Sequence, residues 1–250
     1  MHGFEEVESG ESAVEACVDA VRARILAGEL APGSRLPPER RLSTALGVNR
    51  LTLRSALARL SASNLLHVRQ GSGYVVRPWR RDGGPDLLAA LVELAKGDDQ
   101  KRAIASDLLA VRRQLAVAVL ERLSSGVDAD ARLAIASAAS RFATLARAST
   151  DVATLVEADL EVMHAIMLAT GSAVFALCMN PIGAVLRTIP GLADAMFAAP
   201  LENVAGYEAL LAWLAAPTRE SIPAIVTLLA ARDEATLSRL KPSARSRRRS

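Results

Sequence analysis

The stretch LPPERRLSTALGVNRLTLRSALARL, residues 36–60, places five arginines among leucines that are spaced as on a helix. Leu42 and Leu46 are four residues apart, and so are Leu53 and Leu57, which puts each pair on one side of a helix. The short break between the pairs predicts two helices joined by a tight turn, a helix-turn-helix. So much positive charge on a leucine-anchored platform indicates a negatively charged partner.

The ends of these helices are marked by residues that suit them. Pro38 fits the first turn of one helix, Gly47 fits its end, and Asn49 is a favourable N-cap for the next. Upstream, a first amphipathic helix carries an apolar stripe formed by Val14, Val18, Val21 and Ile25. Downstream, LLHVRQGSGYVV, residues 65–76, predicts a hairpin of two short strands. Together these segments predict a winged helix-turn-helix.

The composition favours helices in the rest of the chain. Of the 250 residues, 51% are hydrophobic and only 3% are aromatic, which is enough for sizeable cores and poor in residues that favour sheets. From about Asp86 to Leu240, apolar segments alternate with breakers such as SSGVDAD and ATGSA. The predicted fold class is mainly α: an N-terminal winged helix-turn-helix with a small β-hairpin wing, followed by a C-terminal all-α helical bundle.

Charge divides the chain in the same way. Residues 11–81 carry 12 Lys and Arg against 5 Asp and Glu, a net charge of +7, whereas residues 82–240 carry 13 against 19, a net charge of −6. The expected organisation is a disordered extension at 1–10, the winged domain at 11–77, a linker at 78–85, an all-helical effector-binding and dimerisation domain at 86–240, and a basic disordered tail at 241–250.

Nothing in the sequence indicates secretion or a membrane. No apolar run approaches the roughly 20 residues that a bilayer requires, and the acidic start differs from a secretory signal. Cys17 and Cys178 lie far apart among apolar neighbours and form no CxxC pair, so both are expected to be core thiols. We therefore expect a cytoplasmic protein with no membrane partner.

The arginines occupy the positions from which a helix-turn-helix contacts DNA. The second helix of this motif enters the major groove by its N-terminal end, where this chain has Asn49, Arg50, Thr52 and Arg54. Arg50 and Arg54 lie on one helical face, and a guanidinium that reads a guanine edge contributes about 1–3 kcal/mol of discrimination. Arg40 is expected to face the DNA backbone, and the wing tip at Gly71 to let the main chain approach a groove.

These segments resemble a known family. GELAPGSRLPPERRLSTALGVNRLTLRSALARLSASNLLHVRQGSGYVV resembles the DNA-binding signature of the GntR family of bacterial transcription regulators. The helical part resembles, more loosely, the FCD effector domain of the FadR-type branch, whose fatty-acid-responsive members have segments similar to DLLAVRRQLA and DLEVMHAIMLATGS in the same order. By position, the resemblance assigns DNA contacts to Arg40, Arg50, Thr52, Arg54 and Gly71. Asn49 stands where the family usually has Ser or Thr, and Gln70 stands where the fatty-acid-responsive members have a histidine.

The resemblance also implies partners. It implies a homodimer that binds a palindromic operator in double-stranded DNA, and a small-molecule effector that changes this binding. Many FCD domains hold a metal through one Asp and three His. This chain has only His2, His67 and His164, and Leu160 stands where the aspartate would be, so we expect neither a metal nor another cofactor.

Without a metal, an effector gains affinity by burying apolar surface. The apolar segment 174–200 is expected to supply lining, with Arg112 or Arg113 meeting an anionic head and His164 lining the pocket or lying in the core. The resemblance suggests a long-chain fatty acyl-CoA or a related lipid metabolite. Asp233 lies where fatty-acid-responsive members have other residues, and its charge disfavours a polyphosphate head nearby.

Three alternatives remain open. The effector of such a regulator, expected to be a repressor, could instead be a small organic acid bound without metal. A nonspecific architectural DNA-binding protein would use the same basic surfaces. A hydrolase built around His164, Asp159 and Glu161 would need a nucleophile motif or phosphate loop that the sequence lacks, so we expect no enzyme.

Overall fold

A computed structural model describes residues 11–71, 73–148, 151–186 and 188–240. The chain divides into two compact units, an N-terminal unit that ends at Leu94 and a C-terminal unit that begins at Ala95. The predicted N-terminal extension with His2 and the predicted basic tail lie outside the described residues.

The N-terminal unit contains three helices, a hairpin and three short helical segments. Their order is α1 (Glu11–Leu26), α2 (Glu39–Ala45), α3 (Arg50–Ala62), β1 (Leu66–Arg69), β2 (Gly73–Val76), α4 (Trp79–Asp82), a 3-10 turn (Pro85–Leu87) and α5 (Leu88–Leu94). Helix α3 packs against both α1 and α2, and β1 packs against α3. The predicted winged helix-turn-helix is confirmed.

The core of the N-terminal unit is the apolar face that the sequence predicts. Both leucine pairs are buried, namely Leu42 with Leu46 and Leu53 with Leu57. They join a cluster that also contains Cys17, Val18, Val21, Ile25, Leu36, Ala56, Leu60, Leu65, Leu66, Val76 and Leu87. Burial raises the pKa of the Cys17 thiol to about 11. Cys178 was expected in a core as well, but that prediction is wrong because its side chain is exposed.

The wing is an antiparallel hairpin in which Leu66 pairs with Val76 and Arg69 with Gly73. Gly71 and Gly73 have positive φ angles of 72° and 76°, which side chains rarely allow, so glycine permits the tight turn. The loop 33–36, predicted only as a turn, lies alongside β2 and hydrogen-bonds to it. The amide of Val76 donates to the carbonyl of Ser34 at 2.9 Å. The hairpin is therefore fastened to the loop that precedes α2.

The segment 78–85, expected to be a linker, lies within the N-terminal unit. Helix α4 is held at its end by the carboxylate of Asp82, which accepts hydrogen bonds from Arg81 at 2.8 Å and Arg77 at 3.0 Å. These bonds lower the pKa of Asp82. Trp79 and Leu87 pack on the apolar core. This packing makes the segment part of the folded unit despite its lack of helical periodicity.

In the part of the C-terminal unit that the structure describes, all regular secondary structure is helical. They are α6 (Asp98–Leu123), α7 (Ala129–Arg147), α8 (Val152–Ala169), α9 (Ala173–Leu186), α10 (Leu192–Met196), α11 (Pro200–Ala215) and α12 (Ile222–Arg239). The most extensive packing is between α7 and α8, α7 and α11, and α6 and α12. Together with the N-terminal unit, this bundle confirms the mainly α fold class.

An aromatic cluster forms part of the core of the bundle. Phe142 is fully buried, with Tyr207 edge-on at 5.3 Å and Phe197 at 6.1 Å between ring centroids. No helix in the described part of the chain has both the length and the apolar character needed to cross a membrane.

Candidate nucleic-acid interface and ligand cavity

The N-terminal end of α3 begins at the residue that the sequence predicts. The side-chain oxygen of Asn49 accepts a hydrogen bond from the backbone amide of Thr52 at 2.8 Å. This bond satisfies one of the amides left unpaired at a helix start. Asn49 is therefore a helix cap, and its amide nitrogen is a donor that the cap does not use.

Two arginines extend from this end of α3. Arg50 is the first residue of the helix and is exposed, and Arg54 follows one turn later with 64% of its side chain exposed. The Nε of Arg54 donates to the carboxylate of Glu39 at 2.8 Å, which raises the pKa of Arg54. Glu39 lies in the first turn of α2, so the pair connects the two helices of the motif. One guanidinium is thus oriented by a carboxylate, while Arg50 lies one turn away.

Sequence reasoning missed both Glu39 and Leu51. Glu39 lies 15 residues before Arg54, and only the packing of α2 against α3 brings the two together. Leu51 is 77% exposed in the first turn of α3, whereas the leucines on the other face of the helix are buried. Leu51 does not fall on the spacing of the buried leucines, and this mismatch could have identified it from the sequence. An exposed apolar side chain here can contact a thymine methyl group.

The other predicted DNA-contacting residues are also at the surface. Arg40 in α2 is exposed, and its carbonyl accepts hydrogen bonds from the hydroxyls of Ser43 and Thr44. Gln70 and Gly71 are exposed at the tip of the wing. Thr52 is half-buried, with its amide engaged by the cap.

A cavity of about 430 Å³ lies within the C-terminal unit. Apolar and small residues form most of its wall: Ala116, Val119, Leu120, Met163, Ile166, Met167, Met179, Ala205, Gly206, Ala209, Leu210, Ile225, Leu228, Leu229, Ala231 and Ala235. Six charged residues and Tyr207 complete it, the charged ones being Arg112, Arg113, Asp159, Glu202, Arg232 and Asp233. This volume and lining are typical of small-molecule sites.

Three of the predicted effector residues meet in this cavity. The carboxylate of Asp233, only 4% exposed, accepts a hydrogen bond from Arg112 Nη2 at 2.7 Å and another from Nη1 of Arg113. One buried acid thus holds two arginines that come from a different helix. In the structure, both guanidiniums bind Asp233. Each also has N–H groups that this carboxylate does not use.

A second charged group faces the same cavity and was not predicted as an effector site. The hydroxyl of Tyr207 donates a hydrogen bond to Oδ1 of Asp159, and burial followed by the charge of Asp159 raises the pKa of Tyr207 well above its usual value. Arg232 Nη2 lies 3.8 Å from the same oxygen, too far for a hydrogen bond. This nitrogen is buried and has no hydrogen-bond partner in the described residues.

His164 lies elsewhere. It is exposed and lines a separate open groove between α7 and α8, together with Glu161, which pairs with Arg141 at 2.7 Å. Asp159 points into the cavity instead, so the three residues of the hydrolase alternative do not converge. The structure also differs from the expectation for segment 174–200, because Met179 is the only one of its described residues that lines the cavity. Most of it packs in the core or lies at the surface.

No cluster of three potential metal ligands occurs among His, Cys, Asp and Glu in the part of the chain that the structure describes. The buried charged groups of the cavity are arginines and aspartates, and Asp233 binds both Arg112 and Arg113. These side chains can neutralise and orient an anion, and the apolar wall can bury a hydrocarbon group.

The fold is similar to that of a solved structure. The structure of Lar, described as controlling the expression of the Listeria monocytogenes agr system, superposes with a TM-score of 0.56, covering 93% of this chain and 98% of that chain. The two sequences are 14% identical, so this likeness concerns the fold alone.

Curated relatives match parts of the chain. The HTH-type transcriptional regulator Mce2R of Mycobacterium tuberculosis is 47% identical over 81 residues, which cover 32% of this chain and 34% of the relative. The fatty acid metabolism regulator protein of Edwardsiella ictaluri is 32% identical over 149 residues, 60% of this chain and 59% of that protein. The chain thus matches between about a third and three fifths of the length of these relatives.

The match to a family profile lies in the winged domain. Residues 13–76 match the family profile described as bacterial regulatory proteins, gntR family, and this range covers α1, both helices of the helix-turn-helix and the hairpin. The N-terminal unit is thus similar, over residues 13–76, to the gntR family of bacterial regulatory proteins.

Proposed function

We propose that the protein is a DNA-binding transcription regulator whose affinity for its operator changes when a small molecule occupies the helical unit. The observation that carries this proposal is the N-terminal end of α3, where Arg50 and Arg54 extend from a helix whose leucines are buried. A regulator of bacterial transcription acts in the cytoplasm, and we propose that location.

The chemistry of this end suits a duplex groove. An exposed guanidinium can bind a phosphate or the O6/N7 edge of guanine, and the ion pair with Glu39 restricts the positions that Arg54 can take. The wing places Gln70 and Gly71 at an exposed tip beside positively charged neighbours such as Arg69. A surface with these features supports both phosphate binding and base readout.

The test starts from a pool of random duplexes, because the operator is not defined by the sequence. Duplexes that the full chain binds are enriched, and their affinity is compared with that of scrambled versions by fluorescence anisotropy at fixed salt. A specific regulator discriminates by a factor of about 10³ or more. Equal affinity for enriched and scrambled duplexes would instead support the nonspecific architectural alternative.

We further propose that the regulator is a homodimer on a palindromic site, as its family resemblance implies. A two-fold symmetric protein requires two half-sites with inverted sequence. The enriched duplexes should therefore contain an inverted repeat, and light scattering of the free protein should give twice the mass of 26.4 kDa. A monomer that binds single half-sites would contradict this assignment.

For the effector, we propose a metabolite with an apolar chain bound without metal, such as a long-chain fatty acyl-CoA or a related lipid metabolite. Support comes from the apolar wall of the cavity and from the similarity to fatty acid metabolism regulators. The arginines in the cavity also favour the alternative of a small organic acid. Adding acyl-CoAs and organic acids to the protein–operator complex and following anisotropy distinguishes them. We propose a repressor, which the effector is expected to release from DNA.

A further inference from the structure

The arginines and aspartates in the cavity are not equal in number. Arg112, Arg113 and Arg232 face two buried carboxylates, Asp159 and Asp233. Glu202 also lines the cavity, but it is 57% exposed and pairs with Arg239 outside the cavity at 3.3 Å. The raised pKa of Tyr207 keeps its hydroxyl neutral. The interior therefore carries one uncompensated positive charge.

Arg232 differs from the other two arginines in hydrogen bonding, because it lies within ion-pair distance of Asp159 and yet its buried Nη2 has no hydrogen-bond partner in the described residues. Asp233 uses one oxygen for Arg112 and the other for Arg113. Asp159 takes the Tyr207 hydroxyl on the oxygen nearest Arg232, and the 3.8 Å separation leaves Arg232 Nη2 without a hydrogen bond. A buried cationic donor without an acceptor is unfavourable, and an anion that reaches it restores both the charge balance and the hydrogen bond.

The surroundings of Arg232 limit what this anion is attached to. Met163, Met167 and Met179 line the same cavity, and methionine side chains adapt to flexible apolar groups. The volume of about 430 Å³ is at the lower end of the range for sites that enclose drug-sized ligands. One excess positive charge balances a ligand with a single negative charge and does not balance a ligand with several. A single charge on a hydrocarbon chain matches these properties.

We propose that the Arg232 guanidinium binds the carboxylate of a monocarboxylate with an apolar chain, and thereby selects a free fatty acid over its polyphosphate-bearing thioester. This inference rests on the proposed role of the cavity as the effector site. Arg112 and Arg113, held by Asp233, form the neighbouring part of the cavity wall. The hydrocarbon chain of the ligand extends along the methionines.

Calorimetric titration of the full chain without DNA tests this inference. The ligands are decanoate, methyl decanoate, decanol and decanoyl-CoA, each below its aggregation concentration. Decanoate is expected to bind at least about tenfold more tightly than the two uncharged ligands, because a hydrogen bond to a buried charge is involved. It is also expected to bind more tightly than decanoyl-CoA.

Two variants should move the affinity in opposite directions. Arg232→Gln removes the positive charge and is expected to bind decanoate and decanol with equal affinity. Asp159→Asn removes a competing negative charge and still accepts the Tyr207 hydroxyl, so it should strengthen decanoate binding. Arg141→Gln is the matched control: Arg141 pairs with exposed Glu161 in the separate groove, and its loss should leave the decanoate-to-decanol ratio unchanged.

The outcomes separate this inference from the proposed function. Equal binding of decanoate and decanol to the unmodified chain, or an equal loss of both in Arg232→Gln, would overturn the role of Arg232. Tighter binding of decanoyl-CoA would overturn the choice of a free acid and keep the cavity as an acyl site. Selective decanoate binding that leaves operator affinity unchanged would support the inference and contradict the proposed regulation. Should Arg232→Gln fail to fold, the four ligands and Asp159→Asn still decide.

Discussion

Arginines lie in two different environments in the two units of this protein. At the start of α3 they are exposed, as in Arg54, whose side chain is 64% accessible and has one carboxylate partner. In the cavity of the helical unit they are largely buried, as in Arg112, which is 14% exposed and bound to Asp233. The same side chain is thus available to a large polyanion in one place and restricted to a small ligand in the other.

The difference follows from desolvation. An exposed guanidinium stays hydrated and can exchange its water for phosphate at little cost, so its contribution depends on salt. A buried guanidinium has lost its water and depends on a carboxylate for stability. Accordingly, removing a carboxylate partner should affect folding at the buried cavity of the helical unit and DNA binding at the exposed end of α3.

The largest effect is expected from Asp233→Asn. This change leaves Arg112 and Arg113 without their shared carboxylate, and we expect a loss of about 2–3 kcal/mol in the free energy of unfolding, below the value for a fully buried pair because Arg113 is partly exposed. Urea unfolding followed by circular dichroism measures it. The matched control is Glu208→Gln, which breaks an exposed pair with Arg147 and should cost less than about 1 kcal/mol. Equal effects of the two changes would remove the contrast.

The next effect concerns DNA and not stability. Arg50→Ala is expected to weaken binding to the enriched duplex by about tenfold to a hundredfold while folding remains intact, and to reduce the salt dependence if Arg50 contacts phosphate. Arg59→Ala serves as the control, because Arg59 lies in the last turn of the same helix and pairs with Glu15. Anisotropy at several salt concentrations decides. If both variants bind like the unmodified chain, the assigned recognition helix is wrong.

A smaller effect should follow from Asn49→Ala. Losing the bond from Asn49 to the Thr52 amide removes a helix cap, which costs about 1 kcal/mol of stability. Because the cap fixes the first turn of α3, specific DNA binding should weaken as well. Asn49→Ser retains a capping oxygen, so it should recover the lost stability in a urea titration. A failure of serine to recover it would show that Asn49 acts in another way.

The smallest change in stability is expected from Glu39→Gln, less than about 1 kcal/mol, since the pair with Arg54 is exposed. Its effect on DNA is more informative. Without the acidic partner, Arg54 becomes more mobile and the surface more positive, so affinity for scrambled duplexes should rise while the ratio of specific to nonspecific binding falls. Anisotropy with both duplexes measures the ratio, and an unchanged ratio would mean that Glu39 does not orient Arg54.

Much of the winged unit was predictable because its signals are local. The buried spacing of Leu42, Leu46, Leu53 and Leu57, the cap at Asn49 and the glycines of the wing each act within one turn of chain. The pair of Glu39 with Arg54 was not predictable, since it requires the packing of two helices. The helical unit was predicted as a class, but the residues that line its cavity come from several distant helices.

By itself, the sequence determined the mainly α class, the winged helix-turn-helix and the exposed position of Arg50, because periodicity, capping and turn chemistry depend on neighbouring residues. Only the tertiary structure decided that Asp233 binds Arg112 and Arg113, that Asp159 and Tyr207 share the cavity with Arg232, and that His164 lies outside it. These arrangements depend on how separate helices pack. Arg112 and Asp233 are more than 100 positions apart, so the local sequence pattern around either residue does not indicate the other.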